Sequence, residues 1–225
     1  MAASRMGVAF LFIAALITPP AHADSIVFST LGPGDAFDVN SAWFFGFDEG
    51  EEGDPDFRFA RAMPFSPSST ATLRSLDLAL DFTPDFPPGT LVINLFGAEG
   101  LLPGRLLETF TRTEPLARGV HSFTSVARPV LQIGHEYFVE ATTTGRAFGG
   151  WHFSSVEAAE GARGADVFRR DNGQWQLSAV PIDPTALRVT GDAAPIPEPA
   201  SVILVGTALA LAPLRRRLSR SARRR

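Results

Sequence analysis

The sequence contains no cysteine, no lysine and only one tyrosine among its 225 residues. Without cysteine the chain can form no disulfide, perform no thiol chemistry and supply no Cys–His pair for catalysis. A chain of this length buries enough apolar surface in one core to need no disulfide staple. The working part of the protein, residues 24–194, fits a single domain.

Positive charge is also scarce once the two ends are set aside. The whole chain carries 20 arginines and 24 acidic residues, a formal net charge of −4. Removing Arg5 and the seven arginines after residue 214 leaves 12 arginines against those 24 acids, which is near −12. Such a surface repels nucleic acid and anionic lipid and tolerates divalent cations.

Several catalytic signatures are missing as well. His121, His135 and His152 are dispersed, with neither an HExxH motif nor a paired-histidine spacing, which argues against a metal-hydrolase site. There is no G-x-S-x-G motif and no glycine-rich phosphate loop after a strand. A carboxylate pair for glycoside hydrolysis stays open, because such pairs meet only in space.

The N-terminal 23 residues predict a signal peptide. Arg5 gives a positive start, residues 6–17 are apolar but too short to span a bilayer, and residues 18–20 break the run. Ala21-His22-Ala23 offers a cleavage site, so residue 24 is the expected mature N-terminus. An uncleaved N-terminal anchor is the alternative.

The C-terminal segment 195–225 has three parts in order. A proline-rich motif at 196–199 precedes the uncharged apolar run 200–214, and seven arginines follow within 215–225. Spanning a bilayer takes about 20 apolar residues, so fifteen is short, although arginine stems could extend the reach. A basic flank stays cytoplasmic, which would put the bulk of the chain outside the cytoplasm. A plain C-terminal anchor and a basic nucleic-acid-binding arm are the alternatives.

This order resembles the PEP-CTERM sorting signal, with the sorting motif at Pro197, Glu198 and Pro199. The resemblance implies recognition by an exosortase after export through the Sec pathway and signal peptidase. It also implies a Gram-negative bacterium that makes an extracellular polysaccharide or biofilm matrix. The apolar run 200–214 would then be a transmembrane sorting helix. It would anchor the protein transiently in the inner membrane and be removed when the protein reaches the cell surface, the envelope or the medium.

The body of the chain predicts an all-β fold. Residues 73–82 alternate apolar and polar side chains over much of their length, as a half-buried strand does. Turn signals recur at roughly eight to twelve residues, which is typical of a sandwich or barrel. The other predicted strands are 90–96, 106–113, 119–127, 130–133, 137–143, 147–155, 174–180 and 186–190. We expect residues 24–59 to add one or two edge strands and a loop.

The body also resembles the choice-of-anchor R type of bacterial surface domain, over about residues 60–191. The segments that carry the likeness are 65–67, 73–80, 92–96, 100–110, 135–139, 150–153 and 186–191. The resemblance implies a jelly-roll-like antiparallel β-sandwich in which a Gly-Leu-Pro-Gly motif marks a strand-joining turn, and we expect that turn here at Leu102-Pro103-Gly104 within residues 100–104. It implies no molecular activity.

An acidic loop is a candidate Ca²⁺ site, the one cofactor the sequence suggests. Six carboxylates and two glycines in nine residues could wrap a cation that takes six to eight oxygen ligands. The spacing does not match an EF-hand, and a solvated acidic loop is the alternative. The candidate ligands are Asp48, Glu49, Glu51, Glu52, Asp54 and Asp56.

Aromatic residues suggest a carbohydrate platform, because exposed rings stack on sugars and jelly rolls often carry lectin-like sites. We expect most rings to be core, and Trp175, after a hairpin signal, is the best exposed candidate, followed by Trp151. The remaining rings of interest are Trp43, Phe44, Phe45, Phe47 and Phe153.

Together these features predict a non-enzymatic, exported protein with a structural or adhesive role in the cell envelope or matrix. A carbohydrate-binding module is the second hypothesis, and a polysaccharide hydrolase is the third.

Overall fold

The computed structural model describes residues 24–48, 57–84, 89–156, 165–170, 173–181 and 183–193. These residues form thirteen strands, and no helix able to cross a bilayer occurs in these ranges. The strands are β1 (Asp24–Ser29), β2 (Phe37–Asp48), β3 (Phe57–Phe65), β4 (Ala71–Pro84), β5 (Thr90–Glu99), β6 (Leu102–Arg112), β7 (Leu116–Thr124), β8 (Val130–Leu131), β9 (Tyr137–Thr144), β10 (Ala147–Ser154), β11 (Ala165–Arg170), β12 (Gln176–Pro181) and β13 (Leu187–Ala193).

All pairings between these strands are antiparallel, which confirms the predicted all-β antiparallel fold. The main path runs β1-β13-β4-β10-β2-β3-β9-β5-β6, with β7 and β8 added on β4, and with β11 and then β12 added on β3. The sheet curls around one main core, to which strands from both ends of this path contribute side chains.

The long strand β4 organises one half of the sheet. One edge pairs with β8 and β7, and the other pairs with β13 and then β10. Its core side chains change from odd to even positions because the register with β13 shifts beside Arg74. A β-bulge inserts one residue and so reverses which side chains face inward. The core residues of β4 are Ala71, Leu73, Leu76, Leu78, Leu80 and Phe82.

The strand β2 joins the two halves of the sheet. It pairs with β10 over most of its length, and then with β3 through Gly46–Phe59, Phe47–Arg58 and Asp48–Phe57. Across this short junction, β9, β5 and β6 form the second half together with β3. The expectation that residues 24–59 form only edge strands is therefore wrong, because β2 is an interior strand and β1 alone of the two lies at an edge.

Most predicted strands are confirmed in place, but two details are wrong. Leu102-Pro103-Gly104 does not form the turn between β5 and β6, since these residues already belong to β6. The turn is Gly100-Leu101, where Gly100 has a φ of 64°, a value that glycine adopts without steric cost. The strands β3 and β11 are absent from the sequence-based expectation, although turn residues flank both of them in the sequence.

Candidate functional site

An aromatic-lined groove opens where β2 passes from one half of the sheet to the other. Its volume is about 490 Å³. It combines apolar rings with one guanidinium, and its described lining contains no carboxylate. We call it the aromatic groove, and its described lining residues are Ala42, Trp43, Phe44, Phe45, Gly46, Phe47, Phe59, Arg61 and Phe148.

The sequence of β2 explains why rings gather here. Successive side chains of a strand point to opposite faces. Phe45 therefore enters the core, with 1 % of its surface exposed, while its neighbour Phe44 points to solvent and is 57 % exposed. Alternation thus divides this aromatic run between the core and the surface.

Gly46 permits the change of direction at the junction. Its φ is 107°, a conformation that side chains with a Cβ rarely adopt. A Cβ at this position would lie 2.4 Å from the carbonyl oxygen of Ala147 and 2.9 Å from Oγ1 of Thr143. Glycine is therefore required for β2 to reach β3 at this point.

Two exposed rings stack on the wall of the groove. Phe44 on β2 and Phe148 on β10 have ring centroids 5.0 Å apart and planes inclined by 23°. Their register, Phe44 opposite Gly150 and Phe148 opposite Gly46, places both side chains on one face of the sheet. With Phe148 also 39 % exposed, the pair offers an apolar surface to solvent.

Arg61, on β3, also lines the groove and contacts three rings. Its guanidinium carbon is 5.2 Å from the ring centroids of both Trp43 and Phe59, and 5.5 Å from that of Phe168. Its Nε donates a long hydrogen bond of 3.4 Å to the carbonyl oxygen of Phe44. Arginine stacked on aromatic faces is held in place by the ring quadrupoles, so the cation has a fixed position in the groove.

The combination of exposed aromatic rings and one guanidinium suits a sugar ring as ligand. An aromatic face offers dispersion and a negative quadrupole to the C–H face of a sugar. A guanidinium offers several N–H donors in a fixed plane to hydroxyl or carboxylate oxygens. Ligand sites are mostly apolar concavities with a few placed polar groups, and the aromatic groove has that composition.

Trp151 does not belong to this site, and its predicted carbohydrate role is wrong. Its side chain is fully buried in the main core, so no sugar can reach the ring. Its Nε1 donates a hydrogen bond of 3.0 Å to the carbonyl oxygen of Ala186. Trp151 therefore joins β10 to the segment before β13 and stabilises the fold.

Trp175 is half-buried rather than exposed on a hairpin tip. It packs on a second, smaller cluster formed by Ala62, Phe138 and Val167. Its ring makes an edge contact with Phe96, with centroids 6.3 Å apart. The predicted hairpin is present, since β11 and β12 pair antiparallel, but the ring that follows it covers apolar side chains.

A buried carboxylate lies beside Trp175. Glu140 is fully buried and accepts two hydrogen bonds from Arg169, from Nε at 3.0 Å and from Nη2 at 2.7 Å. Its other oxygen accepts a bond of 2.7 Å from Nδ2 of Asn94. The guanidinium of Arg169 also lies 5.0 Å from the Trp175 ring centroid, so this side of the ring is occupied by protein.

A histidine–carboxylate pair lies on β10 and β4. Nε2 of the buried His152 is 3.3 Å from Oδ2 of Asp81, and Nδ1 is 3.2 Å from the carbonyl oxygen of Asp38. The N–H of Asn40 donates to the Asp38 carboxylate at 2.8 Å, and this bond is the main reason that the pKa of Asp38 is lowered. Both ring nitrogens of His152 thus face acceptor oxygens rather than a hydroxyl nucleophile, and the pair joins β10 to β4 and to the start of β2.

The candidate Ca²⁺ ligands fall almost entirely outside the described residues. Only the backbone of Asp48, at the end of β2, is described, and the predicted site between β2 and β3 stays a prediction. Elsewhere in the described ranges no group of three or more histidine, aspartate and glutamate side chains could hold a metal ion. The sorting motif Pro197, Glu198 and Pro199, the signal peptide and the tail also lie outside the described residues.

The sequence alone identifies half of the groove and misses the other half. Trp43, Phe44 and Phe47 are among the rings of interest in the sequence, and they meet in the aromatic groove. Phe59 and Phe148 join them from β3 and β10. The alternation Phe57-Arg58-Phe59-Ala60-Arg61 is the available signal, but only tertiary pairing shows which strands become neighbours.

The chain matches no protein-family model, and no curated protein sequence matches it.

Proposed function

We propose that this protein is an exported, non-enzymatic matrix protein that adheres to polysaccharide through the aromatic groove. The main support for this proposal is the stacked pair Phe44 and Phe148, which leaves two phenyl rings exposed beside the guanidinium of Arg61. Exposing large rings to water is unfavourable for an isolated domain. A sugar-binding role accounts for them, and it unites the adhesive hypothesis with the carbohydrate-binding one.

The fold proposed for this role is a jelly-roll-like β-sandwich. Eight strands support this fold. In one half of the sheet the consecutive neighbours are β1, β13, β4 and β7, and in the other half they are β3, β9, β5 and β6. If these eight strands are numbered one to eight in chain order, the two halves read 1-8-3-6 and 2-7-4-5. Two nested Greek keys produce this order, and β2 with β10 then fills the corner that carries the groove.

The proposed route uses the two ends of the chain. Signal peptidase would remove residues 1–23, and an exosortase would recognise the motif at 197–199 and release the protein from the inner membrane. Intact-mass measurement of the mature protein from its native host tests this route. A mature species that still ends in Arg223–Arg225 would contradict it.

Adhesion is preferred to hydrolysis because of the groove's described lining. Glycoside hydrolysis uses two carboxyl groups flanking the scissile bond, and none of the described lining residues is an aspartate or glutamate. Polysaccharide breakdown that is abolished by replacing one close carboxylate pair would favour the hydrolase instead. A Ca²⁺ ion in the acidic loop remains part of the proposal only as a structural ion.

A glycan array probed with the full chain tests the binding function. We expect retention on one or more polysaccharides and loss of retention in Phe44→Ala. The control is Leu106→Ala, which removes another half-exposed apolar side chain, on β6. Absence of binding to any glycan by the unsubstituted chain would leave a purely structural protein.

A further inference from the structure

We infer that the segment between β7 and β9 docks on the lipid bilayer while the chain is anchored there before processing. The contact is made by Val126, Val130 and Ile133, which we call the apolar loop patch. The inference rests on the proposed route, because it needs the apolar run 200–214 to lie in the inner membrane. It adds a surface of the β-sheet to that route and is independent of the aromatic groove.

The two ends of the described sheet lie side by side. Asp24 on β1 is opposite Asp192 on β13, so the first described residue and the last but one are neighbours. The same row continues from Asp192 to Thr72 on β4, and from Thr72 to Val130 on β8. The row covers three inter-strand steps of about 4.8 Å each, or about 14 Å in all. The patch therefore lies at the end of the sheet from which the chain continues in both directions.

Short segments separate this end of the sheet from the two apolar runs of the sequence. Residues 194–199 lie between Ala193 and the run 200–214. Residues 18–23 lie between the N-terminal apolar run and Asp24. Each segment has six residues, and a fully extended chain of that length spans at most about 25 Å. With the run 200–214 in the bilayer, this end of the sheet must stay close to the membrane surface.

The patch offers a group of aliphatic side chains to solvent. Val126 is 89 % exposed, Val130 is 55 % exposed and Ile133 is 60 % exposed. Single exposed apolar side chains are common on protein surfaces, whereas neighbouring ones mark sites of interaction with proteins or membranes. All three residues belong to one short stretch of chain, so they form such a group.

Hydrogen bonds fix the backbone that carries the patch. The N–H groups of Val126 and Ala127 donate to Oε1 of Glu108, at 2.6 Å and 3.0 Å. Glu108 is buried and belongs to β6. On the other side of β8, the N–H of Ile133 donates to Oγ1 of Thr70 at 3.2 Å. Because the backbone is held from both sides, the side chains of the patch cannot turn inward, and only a partner can cover them.

The short tether and the chemistry of the patch favour a bilayer as that partner. A tether of at most about 25 Å keeps the patch at a high effective concentration beside the membrane, so even a weak contact is populated. Amphipathic surface helices bury their apolar faces about 5–10 Å into the boundary between headgroups and acyl chains. The acidic body of the chain repels anionic lipid, so the contact that we infer is with this apolar boundary.

A series of single cysteines tests the inference, because the chain contains no cysteine of its own. Val126→Cys, Val130→Cys and Ile133→Cys would each carry an environment-sensitive fluorophore in the full chain. The control is Thr83→Cys, an exposed position on β4 eleven residues from Thr72, or roughly 36 Å. The labelled chains would be reconstituted in phosphatidylcholine vesicles, with and without nitroxide-labelled phosphatidylcholine.

The probes at the three patch positions should lose most of their fluorescence to the nitroxide lipid, and the Thr83 probe should lose little. Adding Val126→Asp and Ile133→Asp to the labelled Val130→Cys chain should restore most of the fluorescence of its probe, because a carboxylate is costly to remove from water. Both substituted side chains are exposed, so the fold should be retained, which circular dichroism would check.

Three results would overturn the inference. Quenching of the Val130 probe that does not exceed that of the Thr83 probe, or that survives the two aspartates, would do so while the membrane anchor stands. A shift of the Val130 probe in detergent that grows with protein concentration would assign the patch to a second copy of the chain. If the full chain fails to float with the vesicles, both the docking and the anchoring step of the proposed route are wrong.

Discussion

The ring of Phe44 stacks on that of Phe148 with centroids 5.0 Å apart, and both rings remain open to solvent. The two residues are 104 positions apart in the chain, and they meet only because β2 pairs with β10. Exposed aromatic pairs of this kind contribute little to folding in comparison with buried rings, so their substitution separates binding from stability.

Phe44→Ala should weaken polysaccharide binding by about fivefold, which corresponds to roughly 1 kcal/mol for the loss of one stacking ring. The free energy of unfolding should change by less than about 1 kcal/mol, because the side chain is mostly exposed. Affinity electrophoresis and urea denaturation measure the two effects. Leu106→Ala should leave binding unchanged, and an equal loss in both variants would contradict a specific role for Phe44.

Trp151→Ala should have the opposite profile. Removing a fully buried tryptophan leaves a cavity and deletes its hydrogen bond to Ala186, which costs about 3–5 kcal/mol. Denaturant titration gives this value. Trp151→Phe keeps most of the volume, so it should lose clearly less stability than Trp151→Ala. A Trp151→Ala protein with unchanged stability and abolished sugar binding would restore a ligand role for this residue.

Gly46→Ala should be destabilising by about 2–3 kcal/mol, because alanine must adopt a strained φ and its Cβ would strike the Ala147 carbonyl. The matched control is Gly97→Ala on β5, where an added Cβ would meet no heavy atom within 4 Å and φ is ordinary. That control should stay within about 0.5 kcal/mol of the unsubstituted protein. Thermal unfolding of both variants, side by side, checks the difference, and equal shifts would show that the junction tolerates a side chain.

Arg169→Met should destabilise the protein by about 3 kcal/mol, since it leaves the fully buried Glu140 carboxylate without its cation. Adding Glu140→Gln to this variant should recover part of the loss, because the uncompensated charge is removed. Denaturation of the single and double variants measures the coupling. A double variant less stable than Arg169→Met alone would contradict the charge argument. Arg105→Met, on the exposed side of β6, serves as the control for a lost arginine.

The acidic loop allows two outcomes that calorimetry separates. If its carboxylates bind Ca²⁺, the ion should release or absorb heat and raise Tm, because a ligand of the folded state stabilises it by mass action. The double substitution Glu51→Gln and Glu52→Gln should abolish the response. If Ca²⁺ produces no heat and no Tm shift in the full chain, the loop is solvated and binds no Ca²⁺.

The sequence predicts the strands well and their neighbours poorly. Residues 76–82 largely alternate because the large apolar side chains of β4 face the main core, and this local pattern is readable without a structure. The bulge beside Arg74 cannot be read from the sequence, because it depends on the register with β13, which lies far along the chain. Pairing across long separations is decided by tertiary packing.

Dependence on tertiary pairing also explains why the sequence does not separate buried from exposed aromatic residues. Composition cannot tell the buried Trp151 from the exposed Phe44, because both lie in strands rich in rings. Which face of β2 is covered depends on β10 and β3, and the conformation of Gly46 changes the direction of β2 between them. Phe148 enters the site for that reason alone, and no local signal marks it.

The length of β4 has a mechanical consequence. Phe148, beside the groove, pairs with Thr83 near one end of β4, whereas Ala193, where the described sheet ends, pairs with Ala71 at the other. The two points are twelve residues apart along the strand, or roughly 40 Å. Tension between a polymer held in the groove and the chain beyond residue 193 would therefore run lengthwise along the β4–β13 ladder. Its hydrogen bonds would be loaded together in shear instead of opening one after another, so the ladder would resist such a pull.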